Sequence, residues 1–427
     1  MLLAFARFYR YDFAVTQIFT DQSLSSRYYG ISISAHLLSY TPTSVIQLLN
    51  ETKKPFFIDP MTFAFARDLQ NISRNGPIRR SYKKLMDDYG SPFSGCDCGI
   101  NLTPSKFKKS DGTIDNLLIA DVCKRVLGYQ QNKCRVDTGF AKYDKLLKKK
   151  DITLQSASPA FLVAPYFFAS KYESEWYEIS LRFAEQAKYQ KGNAELYPVI
   201  CISQDILFDE TQVSNIVKDY EGFDGYLIWL DDLDEENLAS DELCGLKLLI
   251  SGLSAYGKPV YSLYGGYLCD LLSKFGLTGY SSGICYGEKR SVDAQGGGAG
   301  NRYYMPTVHV KISEDLANAF FAESNKNKNL MCNCSTCSNI RNTLSSSLSS
   351  KEYADLFFTQ MDFLDFRRHF INVKFQEMMD LSKMNKDEVA ALLDKNIQTI
   401  SDIDSIPSGH PSELTQHHLR IWRTLFD

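Results

Sequence analysis

Gly225-Tyr226-Leu227-Ile228-Trp229-Leu230 is an unbroken apolar run that ends in Asp231-Asp232, and a helical pattern follows it from about Asn237 to Tyr256. An apolar run without alternation suits a strand buried on both faces, as in a parallel sheet covered by helices. The same unit recurs along the chain. Ile31-Ser32-Ile33-Ser34 precedes a helical stretch at Thr43 to Leu49, and Pro55-Phe56-Phe57-Ile58-Asp59 is a strand ending in a carboxylate. Phe161 to Tyr166 precedes a helix from about Glu173 to Tyr189, and Tyr197 to Ile202 precedes one near Thr211 to Tyr220. Pro259 to Leu263 is followed by a short helix from Leu268 to Phe275, and Gly279 to Cys285 closes the series. Seven or eight such units over about 300 residues predict an α/β fold, a (β/α)8 TIM-like barrel in preference to an open doubly wound sheet. No G-x-G-x-x-G follows a strand, so nothing points to a Rossmann dinucleotide site.

The pattern is interrupted twice. Residues 67–158, between the second and third strands, are too long for an ordinary connection and read as an insertion on one rim, with a helix around Ile114 to Gln131. From Arg74 to Lys150 the chain carries 17 Lys/Arg against 8 Asp, an excess of +9 that leaves −13 for the remainder of a chain of net charge −4. Arg79-Arg80, Lys83-Lys84, Lys108-Lys109 and Lys148-Lys149-Lys150, with Tyr82, Phe93, Phe107 and Tyr129 interleaved, fit either a polyanion footprint or a solvated insertion paired with acidic neighbours. The barrel is expected over residues 1–310 and a helical appendage over 311–427. In the appendage a helix at Glu314 to Glu323 leads into a cysteine loop, a Ser-rich linker spans Ser345 to Ser350, and helices follow at Glu352 to Met379 and Lys386 to Leu393.

That loop is Cys332-Asn333-Cys334-Ser335-Thr336-Cys337. Three thiols this close converge on one ion, whereas a disulfide between such near neighbours is badly strained. The first histidine downstream, His369, lies 32 positions past Cys337 at the start of an amphipathic pattern and completes a Cys3His set. Such a set is closed to water, so the expected zinc holds shape and does no chemistry. The other cysteines are scattered and fit a reducing compartment; a second C-x-C, Cys96 and Cys98, has no clear role. Arg7, Arg10 and Asp12 interrupt the N-terminal apolar residues, and no apolar run reaches membrane-spanning length. The expectation is a cytoplasmic, soluble protein with no membrane partner.

In a barrel, chemistry sits at the C-terminal ends of strands. The candidates there are Asp59, Gln204, Asp231 and Asp232, the pair Gly265-Gly266, where a ligand can approach bare backbone, and Arg290. Asp231 to Glu236 can equally be the capped start of an acidic helix. Gly296-Gly297-Gly298-Ala299-Gly300 could cradle a phosphate with Arg290 and Arg302 nearby, but it lacks a Lys-Ser/Thr ending and reads rather as a flexible loop.

The cluster Cys332, Cys334, Cys337 with His369 resembles the zinc subdomain of the tRNA-guanine transglycosylase superfamily, whose members are (β/α)8 barrels with a zinc-bearing C-terminal appendage. The motif covers about forty residues. The resemblance implies base exchange at guanine or 7-deazaguanine in tRNA or DNA, in which one aspartate attacks the sugar carbon and another moves protons and reads the incoming base. It places Asp59 as counterpart of the acid/base aspartate and Gln204 as counterpart of a base-reading glutamine. The family's Ser-Gly-Gly-Phe-Gln stretch is absent, and Gly276 to Ser282 offers Ser281 where the family carries its nucleophilic aspartate. Asp231 or Asp232 is then the substitute nucleophile. Two readings follow: a nucleic-acid base-exchanging enzyme, or a non-catalytic relative that binds nucleic acid or a partner subunit, with a homodimer among the possible assemblies.

Overall fold

The computed structural model describes residues 5–136, 154–293, 300–403 and 416–427. The lysines at 148–150 and most of the glycine run at 296–300 fall outside them. The strands are β1 (Ala6–Arg10), β2 (Gly30–Ser34), β3 (Phe56–Asp59), β4 (Leu162–Val163), β5 (Leu196–Tyr197), β6 (Val199–Ser203), β7 (Tyr226–Asp231), β8 (Val260–Ser262), β9 (Gly279–Ser282), β10 (Arg302–Met305) and β11 (Val310–Ser313). Seven of them form a curled parallel sheet in the order β3-β2-β1-β9-β8-β7-β6. The apolar-run reading passes over β1, an interior strand of this sheet between β2 and β9, because Arg7 and Arg10 interrupt it. Both arginines have buried acidic neighbours, Asp270 and Asp59.

β4 and β5 make a separate parallel pair that bridges the outer strands of the sheet. The Ala160 amide donates to the Phe56 carbonyl beside β3 at 2.7 Å, and the Ala164 amide donates to the Tyr197 carbonyl at 3.1 Å. The Ala169 amide donates to Cys201 of β6 at 3.0 Å. An aromatic layer lines the inside of the curl, contributed by strands that are not sheet neighbours. Phe8 meets Phe57 at 5.1 Å, Phe57 meets Phe161 at 5.0 Å, and Phe161 stacks on Tyr197 at 4.1 Å and faces Tyr261 at 6.1 Å. One turn of pleat higher, Ser281 of β9 shares a 2.7 Å hydrogen bond with Ser32 of β2. Close approach requires glycine at the β1–β9 seam, since a Cβ at Gly279 would lie 1.9 Å from the Ala6 carbonyl oxygen.

Helices cover the outer face. Those at Glu175–Gln190 and Glu210–Asp219 start where Ser174 and Asp209 accept first-turn amides, which satisfies donors the helix itself leaves open. The segment 67–158 carries helices Arg80–Tyr89 and Asn116–Asn132 together with short 3-10 turns. Several of its cations are paired: Lys83 with Asp97 at 2.7 Å, Lys133 with Asp88 at 2.7 Å, and Lys108 with Glu175.

Beyond β9 the chain forms the antiparallel hairpin β10–β11 and a set of helices. The helix expected over Glu352 to Met379 is two, Ser350–Gln360 and Phe363–Lys383. The break falls at Met361-Asp362, where the Asp362 carboxylate accepts the Asp365 amide at 2.8 Å and caps the second helix. Within the Ser-rich stretch, Ser349 caps the first in the same way, so the end of that stretch is a helix start and no longer a linker. The last long helix extends to Ser401, past the expected Leu393. No helix of the described residues is long and apolar enough to cross a membrane.

A buried charge network welds the helix Phe363–Lys383 to the sheet. Asp270 accepts from Arg7 at 2.6 Å and from Lys374 at 3.0 Å, and all three side chains are about 1% exposed. Lys374 also lies 3.3 Å from Glu377, which accepts from Tyr304 Oη at 2.9 Å and lies 2.7 Å from His309 Nδ1.

Candidate functional site: a metal-ligand cluster and two strand-end cavities

The Cys3His set assembles from three elements. Cys332 and Cys334 lie in the turn before the helix Ser335–Arg341, Cys337 is in its first turns, and His369 comes from the second turn of Phe363–Lys383. Their four ligand atoms lie within 4.8 Å of one another, the sole group of this kind among the described residues. His369 Nδ1 is 3.4 Å from Cys334 Sγ and 3.3 Å from Cys337 Sγ. Tetrahedral zinc with bonds of about 2.3 Å to sulfur and 2.0 Å to nitrogen puts ligand atoms roughly 3.5–3.8 Å apart, so the set fits with small adjustment.

The surroundings fit as well. His369 Nε2 sits 2.8 Å from the Tyr304 carbonyl; donating there leaves the Nδ1 lone pair aimed at the sulfurs. Tyr303 stacks on the imidazole at 4.3 Å, and its hydroxyl accepts the Cys332 amide at 3.1 Å. Cys96 is buried and Cys98 exposed, and neither joins a ligand group among the described residues.

At the strand ends, Asp59 is 1% exposed. Its Oδ1 accepts from Tyr166 Oη at 2.8 Å and from the Met61 amide at 3.0 Å, and its Oδ2 lies 3.7 Å from Arg10. Asp231 ends β7 and accepts the Val292 amide at 2.6 Å, so it fastens the loop after β9 and does not start a helix. Burial raises its pKa, against the hydrogen bonds from Val292 and Ser291. The rings of Phe63, Tyr166 and Trp229 pack between the ends of β3 and β7, with Phe63 edge-on to Trp229 at 4.6 Å. Asp59 and Asp231 are each committed to partners of their own, and neither lines the two strand-end cavities. Asp232 has φ +56° and lies 3.6 Å from Lys289. Gln204 is half-buried in the 3-10 turn after β6.

Gly265-Gly266 and Arg290 are drawn into the strand-end chemistry through residues the sequence reading left unassigned. Glu235 accepts the Gly266 amide at 2.6 Å and the Leu268 amide at 3.1 Å. A Cβ at Gly266 would lie 2.7 Å from Glu235 Oε2 and 3.1 Å from the Glu288 carboxyl carbon, so this glycine permits the approach of two carboxylates. Glu288 pairs with Lys311. Glu235, Glu236, Glu288, Arg302, Lys311 and Asp232 are among the residues around a cavity of about 780 Å³. Glu235 belongs to the acidic stretch that follows the fifth strand in the sequence, but nothing there marks its partners, because they are the backbone amides of Gly266 and Leu268 more than thirty residues away.

Burial, then the neighbouring Glu288 charge, pushes Glu235 up to about 7 against the amides of Gly266 and Leu268. Burial, with Asp234 and Glu288, takes Glu236 to about 7 as well. Between their ordinary value of 4.5 and 7 these groups hold protons in the folded chain that the unfolded chain has released. Their contribution to stability therefore falls as pH rises through that window and is constant above it. Urea midpoints taken at pH 5 and pH 8 are expected to converge in Glu235→Gln/Glu236→Gln relative to the parent; an unchanged pH dependence would contradict the raised values.

Arg290 reaches both strand-end cavities. Its carbonyl accepts from Trp229 Nε1 and from the Asp232 amide, each at 3.1 Å, and its side chain helps line a second cavity of about 460 Å³ over β1 and β2. Neither Asp59 nor Asp231 lines either cavity. No protein-family model matches the chain, and no curated protein matches it.

Proposed function

We propose that this chain is a divergent transglycosylase-like protein, built on a (β/α)8 barrel, that acts on guanine or 7-deazaguanine bases of DNA or RNA and carries a structural zinc. The carrying observation is the Cys3His set, which ties the helix Phe363–Lys383 to the hairpin β10–β11 while Lys374 of that helix pairs with Asp270 beside the sheet. These contacts support the reading of a zinc appendage clasped to a barrel, as in the superfamily that the cysteine motif resembles. Closure of the seven-stranded sheet through 160–169 is supported by the hydrogen bonds to Phe56, Tyr197 and Cys201 and by the aromatic layer that crosses the gap. Zinc is the metal that fits three thiolates and an imidazole in a closed tetrahedral set. Asp59, beside Arg10 under the strand-end cavity, is the acid/base candidate.

A second reading, a non-catalytic relative that binds nucleic acid or a partner subunit, draws on a specific observation. Ser281, at the expected nucleophile position, is buried and bonded to Ser32, and neither Asp59 nor Asp231 lines the strand-end cavities. Incubation of folded, metal-loaded protein with labelled guanine or 7-deazaguanine and with tRNA or duplex DNA decides between them. The enzyme reading expects label in one polymer, reduced at least a hundredfold by Asp59→Asn. Label in neither polymer selects the non-catalytic reading.

A further inference from the structure

The cavity of about 460 Å³ over β1 and β2 is cationic and aromatic at once. Arg10, Arg79, Arg290 and Arg367 line it, with Asp12 the only carboxylate in its wall among the described residues and Asp59 behind Arg10. Guanidinium groups do not shed their protons, so buried ones need anionic partners or a ligand to supply them. Here the partners run short among the described residues. Arg10 Nε and Nη2, Arg290 Nε and Arg367 Nε are buried with no hydrogen-bond acceptor. Arg367 is 3% exposed, and its Nη1 is committed to the Phe363 carbonyl at 2.7 Å. Asp12 is occupied in capping the Ala14 amide.

The aromatic part of the wall is flat and rigid. His36 stacks on Tyr82 at 4.4 Å with the planes 6° apart, and His36 Nδ1 also has no partner. Burial, together with Arg290, Arg10 and Arg79, pushes His36 down to about 3, so it presents a neutral ring to a ligand and adds no charge. Arg10 lies over the Tyr264 ring at 4.3 Å, which holds its guanidinium in place. A space of this size suits one nucleotide unit.

We infer that this cavity is a phosphate-binding subsite in which Arg10, Arg290 and Arg367 grip the phosphate of a nucleotide while the His36–Tyr82 stack supports its flat base. The inference rests on the nucleic-acid reading above for the kind of ligand, though not on base exchange. Bidentate, charge-assisted hydrogen bonds from guanidinium to phosphate oxygen are the strongest contacts available to such groups, and a phosphomonoester or phosphodiester satisfies them equally.

The test is calorimetric titration of the full chain with GMP, guanosine and a short single-stranded oligonucleotide at fixed low salt. GMP is expected to bind at least tenfold tighter than guanosine, and raised KCl should weaken it. Arg290→Gln should cost at least tenfold in GMP affinity with an unchanged melting temperature, and Arg290→Lys should recover part of the loss. Where Arg290→Gln proves unstable, Arg79→Gln at the exposed rim serves instead, with a smaller loss expected. Tighter binding of GMP than of the oligonucleotide identifies a free nucleotide as the source of the phosphate; the reverse identifies a strand. Equal affinity for GMP and guanosine, or full GMP affinity in a folded Arg290→Gln, overturns the subsite. Arginine-dependent GMP binding without label incorporation leaves the subsite standing and removes base exchange. Label incorporation unaffected by Arg290→Gln, with no discrimination between GMP and guanosine, does the opposite.

Discussion

Cys337→Ser is expected to strip the protein of its metal and unfold everything packed on the helix Phe363–Lys383. The Cys337 side chain is buried between Tyr303 and His369, 3.8 Å from the Tyr303 hydroxyl and 3.3 Å from His369 Nδ1, so a serine there leaves a void and a hard oxygen where a soft thiolate belongs. Structural zinc sites return about 10–16 kcal/mol of binding free energy at neutral pH, on the order of a typical domain's entire stability. Elemental analysis should therefore find about one zinc per chain in the parent and a small fraction of that in Cys337→Ser. A chelator added to the parent should release the metal together with the near-ultraviolet signal of Tyr303 and Tyr304. Protein that purifies free of metal and melts at the same temperature with and without chelator would falsify the structural-zinc assignment.

Asp270→Asn carries the second large effect. Asp270 is 2% exposed and is flanked by Arg7 and Lys374, both buried. For Arg7 and for Lys374 alike, burial opposes the charge, yet Asp270, with Tyr280 and Tyr9 around Arg7 and with Glu377 beside Lys374, holds both pKa values above their ordinary ones. Neutralising the carboxylate leaves two cations facing each other without water. Removing one partner of a buried ion pair costs about 3–5 kcal/mol, and here one change unpairs Arg7 wholly and Lys374 in part, so the upper half of that range is expected. Equilibrium urea unfolding measures it. Adding Lys374→Met to Asp270→Asn should restore part of the loss, because a neutral side chain of similar length removes one stranded charge. A single variant as stable as the parent would mean that the network contributes nothing to folding.

The strands easiest to read from the chain were those that run as continuous apolar stretches, such as β7 and β3, while β2 and β9 were read despite their serines. β1 escaped because what makes it a strand is not local: Arg7 is tolerated inside the protein through Asp270, 263 positions on. The metal ligands were legible for the opposite reason. Three of them fall within six residues, and the fourth is the next histidine along. The cavity arginines come from four distant segments, and nothing around any one of them distinguishes it from a surface arginine. The split of the long C-terminal helix was in principle visible, because Asp362 and Asp365 have the spacing of a capping pair. The continuous amphipathic pattern on either side outweighed it.

The position of β1 has a consequence during synthesis. Its partners are β2, available at once, and β9, which is made some 270 residues later. At about 5–20 residues per second, a ribosome takes roughly 15–55 s to close that interval. Through that time a nascent chain exposes the open edge of β1 and a stranded arginine, a surface that invites pairing with other chains. Chaperone dependence in the cell, and poor recovery of C-terminally truncated forms, are the expected results of where one short strand sits in the sheet.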